Sequence, residues 1–214
     1  MRSLILATRN PHKVREVGRL LQPAGVHVEG LPVDVILPPE DGDTFADNAL
    51  PKARAAALSC VRASIADDSG IEAEALDGAP GVRSARYAGL NASDEDNLAK
   101  FEREVPPGSA LRYVCALAYV DPAGEERVFF GECRGRMAPE RRGERGFGYD
   151  PVFVPDEDSQ GRTIAELPDV EKDAISHRGR ALRALLDWLA GEGRGVAGSP
   201  PVADSPRGEG LSGG

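Results

Sequence analysis

Two stretches rich in β-branched and aromatic residues, Leu111 to Val120 and Glu126 to Met137, flank the tetrapeptide Asp121-Pro122-Ala123-Gly124. This arrangement constrains the fold more than any other feature of the chain. The tetrapeptide is a turn signal, so the two stretches are expected to pair as a β-hairpin. The N-terminus follows a different pattern. Leu4 to Ala7 reads as a short buried strand, and Asn10-Pro11 then supplies an N-cap and a first-turn proline for a helix to Leu21, with Val14, Val17, Leu20 and Leu21 on one face. Further helices are expected from Thr44 or Phe45 to about Cys60, from an N-cap at Ser93 to about Glu104, and along Leu182, Leu185, Leu186 and Leu189, closing before Gly191. The segment Val61 to Ala66 reads as a buried strand that reaches Asp67. A hairpin combined with strands that run into helices makes an α/β protein with a mixed sheet.

The chain carries 35 acidic and 26 basic residues, a formal charge of -9, which argues against general nucleic-acid binding, since that requires a basic face. No apolar run approaches the length of a membrane span or of a signal-peptide core, so a cytoplasmic location without membrane insertion is expected. Cys60, Cys115 and Cys133 are widely spaced and odd in number, and read as reduced core thiols. Residues 191–214 are dominated by Gly, Pro and Ser and are expected to be a disordered tail, leaving residues 1–190 as the folded unit.

Four segments carry groups suited to chemistry. Thr8-Arg9-Asn10-Pro11-His12-Lys13 brings a strand to a helix N-terminus, where free N–H groups and the helix dipole attract anions. Ala66-Asp67-Asp68-Ser69-Gly70 places two adjacent carboxylates before a glycine that permits a sharp turn, and a divalent cation would relieve their repulsion, with Glu40 and Asp41 as further oxygen donors. Gly146-Phe147-Gly148-Tyr149-Asp150-Pro151 sets aromatic rings between glycines, next to the basic Arg141, Arg142 and Arg145. Lys172 and Ser176-His177-Arg178 cluster donors ahead of the last helix. Taken singly, each segment also fits a structural role: a capped helix, an acidic turn, a loop whose ring plugs the core, a polar start to a helix. Only four of the 26 basic residues are lysines, and three of these, Lys13, Lys52 and Lys172, fall in or near such segments, where lysine acts as a compact point charge.

Together, LATRNPHK, FADNALPKA, ADDSGIEAEAL with GAPGVRSARYAG, GFGYDPVFVP and EKDAISHRGRAL resemble the inosine triphosphate pyrophosphatase family, in family order from about Leu4 to Leu182. The resemblance implies an elongated mixed β-sheet with flanking helices forming two lobes around a nucleotide-binding cleft, and a homodimer. It also implies Mg²⁺-dependent hydrolysis of ITP, dITP and XTP to the monophosphate and pyrophosphate, which clears deaminated purines from the nucleotide pool. Residue by residue, phosphate binding falls on Thr8, Arg9, Asn10, Pro11, His12 and Lys13, and the metal glutamate on Glu40. The catalytic, metal-binding aspartate falls on Asp68, with Ser69 contacting substrate. Lys52, Phe147, Gly148, Tyr149, Asp150, Lys172, His177 and Arg178 match nucleotide-binding positions.

The mechanism expected from this match places Mg²⁺ on Glu40 and Asp68, lets Lys13, Lys52 and Lys172 offset the triphosphate charge, and has Asp68 deprotonate the attacking water. His177 and Arg178 would donate to the purine 6-carbonyl while Phe147 stacks on the ring. A pyrophosphatase for modified pyrimidine triphosphates would lack the purine-reading segments, and a non-catalytic nucleotide-binding module would need a defective carboxylate set. Two departures from the family pattern stand out. Asp47 stands where the family usually has glutamate, a shorter carboxylate expected to weaken a local contact, and Pro51 falls inside the second helix, which is therefore expected to start later or to kink.

Overall fold

A computed structural model describes residues 2–191 of the chain. The expected tail lies, from residue 192 onward, outside the described residues. Strands β1 (Arg2–Leu6), β2 (Val26–Gly30), β3 (Ser64–Ala73), β4 (Ala110–Val120), β5 (Glu126–Met137) and β6 (Phe153–Pro155) form one sheet in the order β2-β1-β3-β4-β5-β6. The pairs β2–β1 and β1–β3 are parallel, and β3 through β6 pair antiparallel, so the sheet is mixed as expected. The β4–β5 hairpin turns at Asp121, whose Oδ1 accepts the N–H groups of Ala123 and Glu125, both at 2.9 Å.

Helices cover both faces. On one, α2 (Phe45–Cys60) sets Ala49, Ala53, Ala56 and Ala57 against Ala66, Ala116 and Ala118, small residues that let helix and sheet approach closely. On the other, α1 (Pro11–Leu21) and the C-terminal α5 (His177–Gly191) bury Val17, Leu21, Leu182, Leu185 and Leu189 against Leu4, Leu6, Ile65 and Leu117. A third cluster joins Leu98, Phe101 and Val105, in and just after α3 (Asp94–Glu104), to Ile71, Leu111, Tyr113 and Phe153. A short helix, α4 (Asp169–Ile175), precedes α5. The caps at Asn10, Thr44 and Ser93 are all made through their side chains. Cys115 and Cys133 are buried free thiols and Cys60 is half-buried.

Four expectations are corrected. The α1 face does not bury Val14, which is 36% exposed, whereas Glu16 is only 7% exposed because its carboxylate meets buried cations. Neither does α2 start late. It begins at Phe45 and continues through Pro51, since one missing N–H is outweighed by the Thr44 cap and the buried alanine face. At that cap, Asp47 reaches Thr44, accepting its hydroxyl at 2.6 Å. The third correction concerns Asp67-Asp68-Ser69-Gly70, which is no turn but mid-strand in β3, paired with Leu117, Ala116, Cys115 and Val114. Gly70 is required there by close approach, because a Cβ would collide with the Gly81 carbonyl and Ser84 Oγ. Finally, Val61 is not a strand residue. It caps α2 in the left-handed region at φ 51°.

A β-branched residue is strained in that conformation, and the Val61 side chain is 74% exposed, so little packing offsets the strain. Val61→Gly is expected to stabilise the protein by about 0.5–1 kcal/mol, read as a raised urea midpoint. An unchanged or lowered midpoint would show that the strain is absent.

Candidate active site

Strand β1 ends at Leu6, with the Ala7 N–H still donating to Ile65 O at 2.8 Å, and the chain then turns into α1. Strand β3 continues past that point, paired with β4 but no longer with β1. Along the edge of β3 that β1 leaves free lies a cavity of about 310 Å³, bordered by Thr8, Asn10, Lys13, Glu40, Asp68 and Ser69 and by Phe147, Tyr149, Lys172, His177 and Arg178. The topology thus brings five distant sequence segments around one opening, outside the carboxyl end of a parallel strand.

At the α1 end, the expected free N–H groups are already occupied. Pro11 has none, and Asn10 Oδ1 accepts from His12 N at 2.8 Å and from Lys13 N at 3.4 Å. The positive character of this turn rests on the helix dipole and on Lys13. Lys13 Nζ sits 3.0 Å from Asp67 Oδ2, and the Asp67 backbone carbonyl accepts from Lys52 Nζ at 2.9 Å.

Asp67 is one link in a buried chain of alternating charge. Arg178 donates from Nε and Nη2 to Asp67 Oδ2, at 3.1 and 3.0 Å, and from Nη1 to Glu16 Oε2. Glu16 Oε1 accepts from Lys172 Nζ at 2.6 Å, and Lys172 also donates to Asp150 Oδ2 at 2.8 Å. Burial works to raise the Asp67 carboxyl, yet Lys13, Arg178 and Lys52 override it and hold the group far below the usual carboxylate range. The same contest lowers Glu16, where Arg178 and Lys172 prevail over burial. Burial also disfavours the Lys172 cation, but Asp150 and Glu16 keep its pKa above the ordinary lysine value. Lys172 is therefore not the free point charge expected for a triphosphate. Its compensated ammonium stands 5.3 Å from the Phe147 ring centre, with the Arg178 guanidinium carbon at 5.8 Å.

The opposite face of β3 carries the second carboxylate. Asp68 accepts from Asn48 Nδ2 at 2.9 Å, and burial raises its pKa; Lys52 opposes that rise and Glu40 adds to it. Glu40 is itself held by Lys52 Nζ. Two facing carboxylates, one of them destabilised as an anion, are the hard oxygen donors that a small divalent cation takes up. Among the described residues no group of three or more His, Cys, Asp or Glu forms a dedicated metal cage, so such a cation would complete its shell with water or ligand oxygens.

The aromatic end is built on Gly146 and Gly148, both in the left-handed region at φ 75° and 61°. This turn folds the loop back so that Asp150 Oδ2 accepts the Phe147 N–H at 3.0 Å. Phe147 stacks on His12, with ring centroids 4.9 Å apart. His177 stacks on Tyr113 at 4.6 Å, and burial together with the neighbouring Arg178 and Lys172 pushes its pKa well below that of free histidine. This favours the neutral ring, which carries one N–H donor. With Ser69 Oγ also accepting from Arg178 Nη2 at 2.9 Å, Arg178 keeps one Nη1 hydrogen beyond its contacts with the described residues. The basic run beside this loop is engaged elsewhere, Arg141 with Glu95 and Glu102, Arg142 with Gly161 O, and Arg145 with Glu166 O.

Of the residues expected at the site, Pro11, His12 and Lys52 do not border the cavity; Arg9 borders it, with its guanidinium engaged by backbone carbonyls. His177 and Arg178 open α5 rather than preceding it. The sequence reading missed Glu16, Asn48, Asn97 and Tyr113. Glu16 carried a signal, being three residues after Lys13 on a helix that otherwise reads as amphipathic.

Residues 4–188 match the Ham1 family. A dITP/XTP pyrophosphatase of Mycolicibacterium paratuberculosis is 49% identical over 198 residues, covering 88% of this chain and 96% of that protein. Its counterpart in Symbiobacterium thermophilum is 47% identical over 190 residues, covering 87% and 94%. Among solved structures, a HAM1 protein from Coxiella burnetii superposes with a TM-score of 0.78 at 38% identity, covering 89% of this chain and 99% of that one.

Because the folded-state pKa of Asp67 is depressed, its stabilising contribution is complete above the ordinary aspartate pKa and is lost as pH falls toward the folded value. Asp67→Asn is expected to cost about 3–5 kcal/mol at pH 7, a gap that narrows below about pH 4. Urea unfolding at pH 7 and pH 3 measures it. A gap that is constant or wider at pH 3 contradicts the assignment.

Proposed function

The chain belongs to the Ham1 family, and we propose that it hydrolyses the non-standard purine nucleoside triphosphates ITP, dITP and XTP to the monophosphate and pyrophosphate, removing deaminated purines before they enter DNA or RNA. The observation that carries this reading is one cavity bordered both by a carboxylate pair with Lys13 and by an aromatic ring with fixed N–H donors. The activity printed for relatives such as the Mycolicibacterium protein supports it.

On this reading the triphosphate lies along Thr8 to Lys13. Glu40 and Asp68 would hold Mg²⁺, which when bound would supply positive charge to the triphosphate site. Asp68 orients a water and takes its proton as the water attacks the α-phosphorus. Asn48 fixes the Asp68 carboxylate, and Lys52 steadies Glu40 from below. Lys13 offsets negative charge that moves onto the departing pyrophosphate.

Base selection follows from the donors. Hypoxanthine and xanthine present a 6-carbonyl acceptor, and adenine presents an amino donor there. The remaining Arg178 N–H and the neutral His177 are donors, with Phe147 packing on the ring, so adenine would leave buried donors facing a donor. Asp150, Glu16 and Asp67 hold Lys172 and Arg178 in place. No described helix is long and apolar enough to cross a membrane; a cytoplasmic homodimer is the assembly and location that accompany this reading.

The test is turnover with Mg²⁺ on ITP, XTP, dITP, ATP and dUTP, with pyrophosphate and orthophosphate measured separately. Pyrophosphate confined to the first three is expected, and orthophosphate or equal rates on ATP contradicts the reading. Asp68→Asn is expected to lower turnover by about 10²- to 10⁴-fold while ITP binding persists. Unchanged turnover removes Asp68 from the role of base.

A further inference from the structure

Arg9 lies in the β1–α1 turn, between Thr8 and Asn10, yet its guanidinium faces the segment that follows β2. Nη1 donates to Leu31 O at 2.9 Å, while Nη2 donates to Pro32 O at 2.7 Å, Val33 O at 3.2 Å and Val35 O at 3.0 Å. Nη2 has two hydrogens for three acceptors, so at least one is shared. Four carbonyl dipoles thus converge on one cation, a charge-assisted arrangement that a neutral donor could not reproduce.

The segment needs such a hold. Between Leu31 and Asp41, among the described residues, the backbone donates to another backbone group once, from Val35 N to Pro32 O. Pro32, Pro38 and Pro39 lack the N–H altogether. Val33 and Ile36 are 95% and 88% exposed, so packing is confined mainly to Leu31, Val35 and the partly buried Leu37. Glu40 follows directly. Its carbonyl accepts from Arg86 Nη2 at 2.8 Å and its carboxylate from Lys52. Pro38-Pro39, with both φ angles fixed by their rings, couples the clamped stretch to Glu40 over a short, stiff span.

We infer that Arg9 is a positioning residue that staples the Glu40 segment to the β1–α1 turn, and so sets the separation between the Glu40 carboxylate and Thr8 to Lys13. The clamp stands on geometry alone; its consequence for Mg²⁺ rests on the proposed function. This differs from the phosphate contact that the family resemblance assigns to Arg9, because a guanidinium meeting four carbonyls is not directed at an anion.

Amide hydrogen exchange of the metal-free, nucleotide-free full chain tests the clamp in Arg9→Ala and Arg9→Lys. Exchange of the Val35 amide, whose N–H donates to Pro32 O within the clamped stretch, is expected to rise by at least about tenfold in Arg9→Ala, with residues 141–148 unchanged as the internal control. Arg9→Lys should recover only part of the protection, since a point charge cannot span the four acceptors. In parallel, the Mg²⁺ concentration for half-maximal pyrophosphate release from ITP should rise several-fold in Arg9→Ala. Unchanged exchange overturns the clamp, as does a raised KM for ITP at saturating Mg²⁺ without loss of protection, which would make Arg9 a phosphate contact. Faster exchange with an unchanged Mg²⁺ requirement overturns the positioning role. If the unaltered protein releases no pyrophosphate from ITP, the proposed function fails while exchange still decides the clamp.

Discussion

The site depends on Asp67, a fully buried carboxylate whose single oxygen Oδ2 meets both Lys13 and Arg178. Its other oxygen, Oδ1, has no hydrogen-bond partner among the described residues. An isolated charge could not occupy this position, since removing it from water costs several kcal/mol. It is tolerated because the charges alternate from Lys13 through Asp67, Arg178, Glu16 and Lys172 to Asp150, three cations against three anions. Each member is satisfied only while its neighbours are in place. The network therefore fixes Arg178 and Lys172 before any ligand arrives, and preorganised donors are what discrimination between purine edges requires.

The opening exists because two parallel strands differ in length. β1 stops at Leu6 while β3 continues to Ala73, and the side chains of β3 alternate between faces beyond that point. Asp67 consequently enters the cation network on the α1 and α5 side, and Asp68 faces Asn48 of α2 and Glu40. Two adjacent aspartates of the same motif thus take opposite electrostatic characters, one held strongly ionised and the other pushed toward protonation. The division follows from strand geometry and needs no difference in residue type.

Much of this was legible in the amino-acid sequence wherever the determining interactions are local. The caps at Asn10, Thr44 and Ser93 and the Asp121 turn of the β4–β5 hairpin rest on contacts within a few residues, and the leucine stripe of α5 shows its buried face in the spacing itself. Reading failed where distant partners decide. Asp-Asp-Ser-Gly has turn composition, but pairing with β4 and the close approach of the Gly81 backbone make it a strand. Glu16 has the composition of a solvated helix position, and its partners Lys172 and Arg178 lie more than 150 residues away along the chain. Arg9 reads as part of a phosphate turn, and only the folded chain shows the carbonyls it holds.

The most direct measurement is a crystal structure of the protein with Mg²⁺ and a non-hydrolysable α,β-imido analogue of ITP. The account predicts the hypoxanthine ring against Phe147 with its 6-carbonyl toward Arg178 and His177, the triphosphate beside Thr8 to Lys13, and the cation between Glu40 and Asp68. A base seated at the Glu40 and Asp68 end, or a cation held away from both carboxylates, would contradict it.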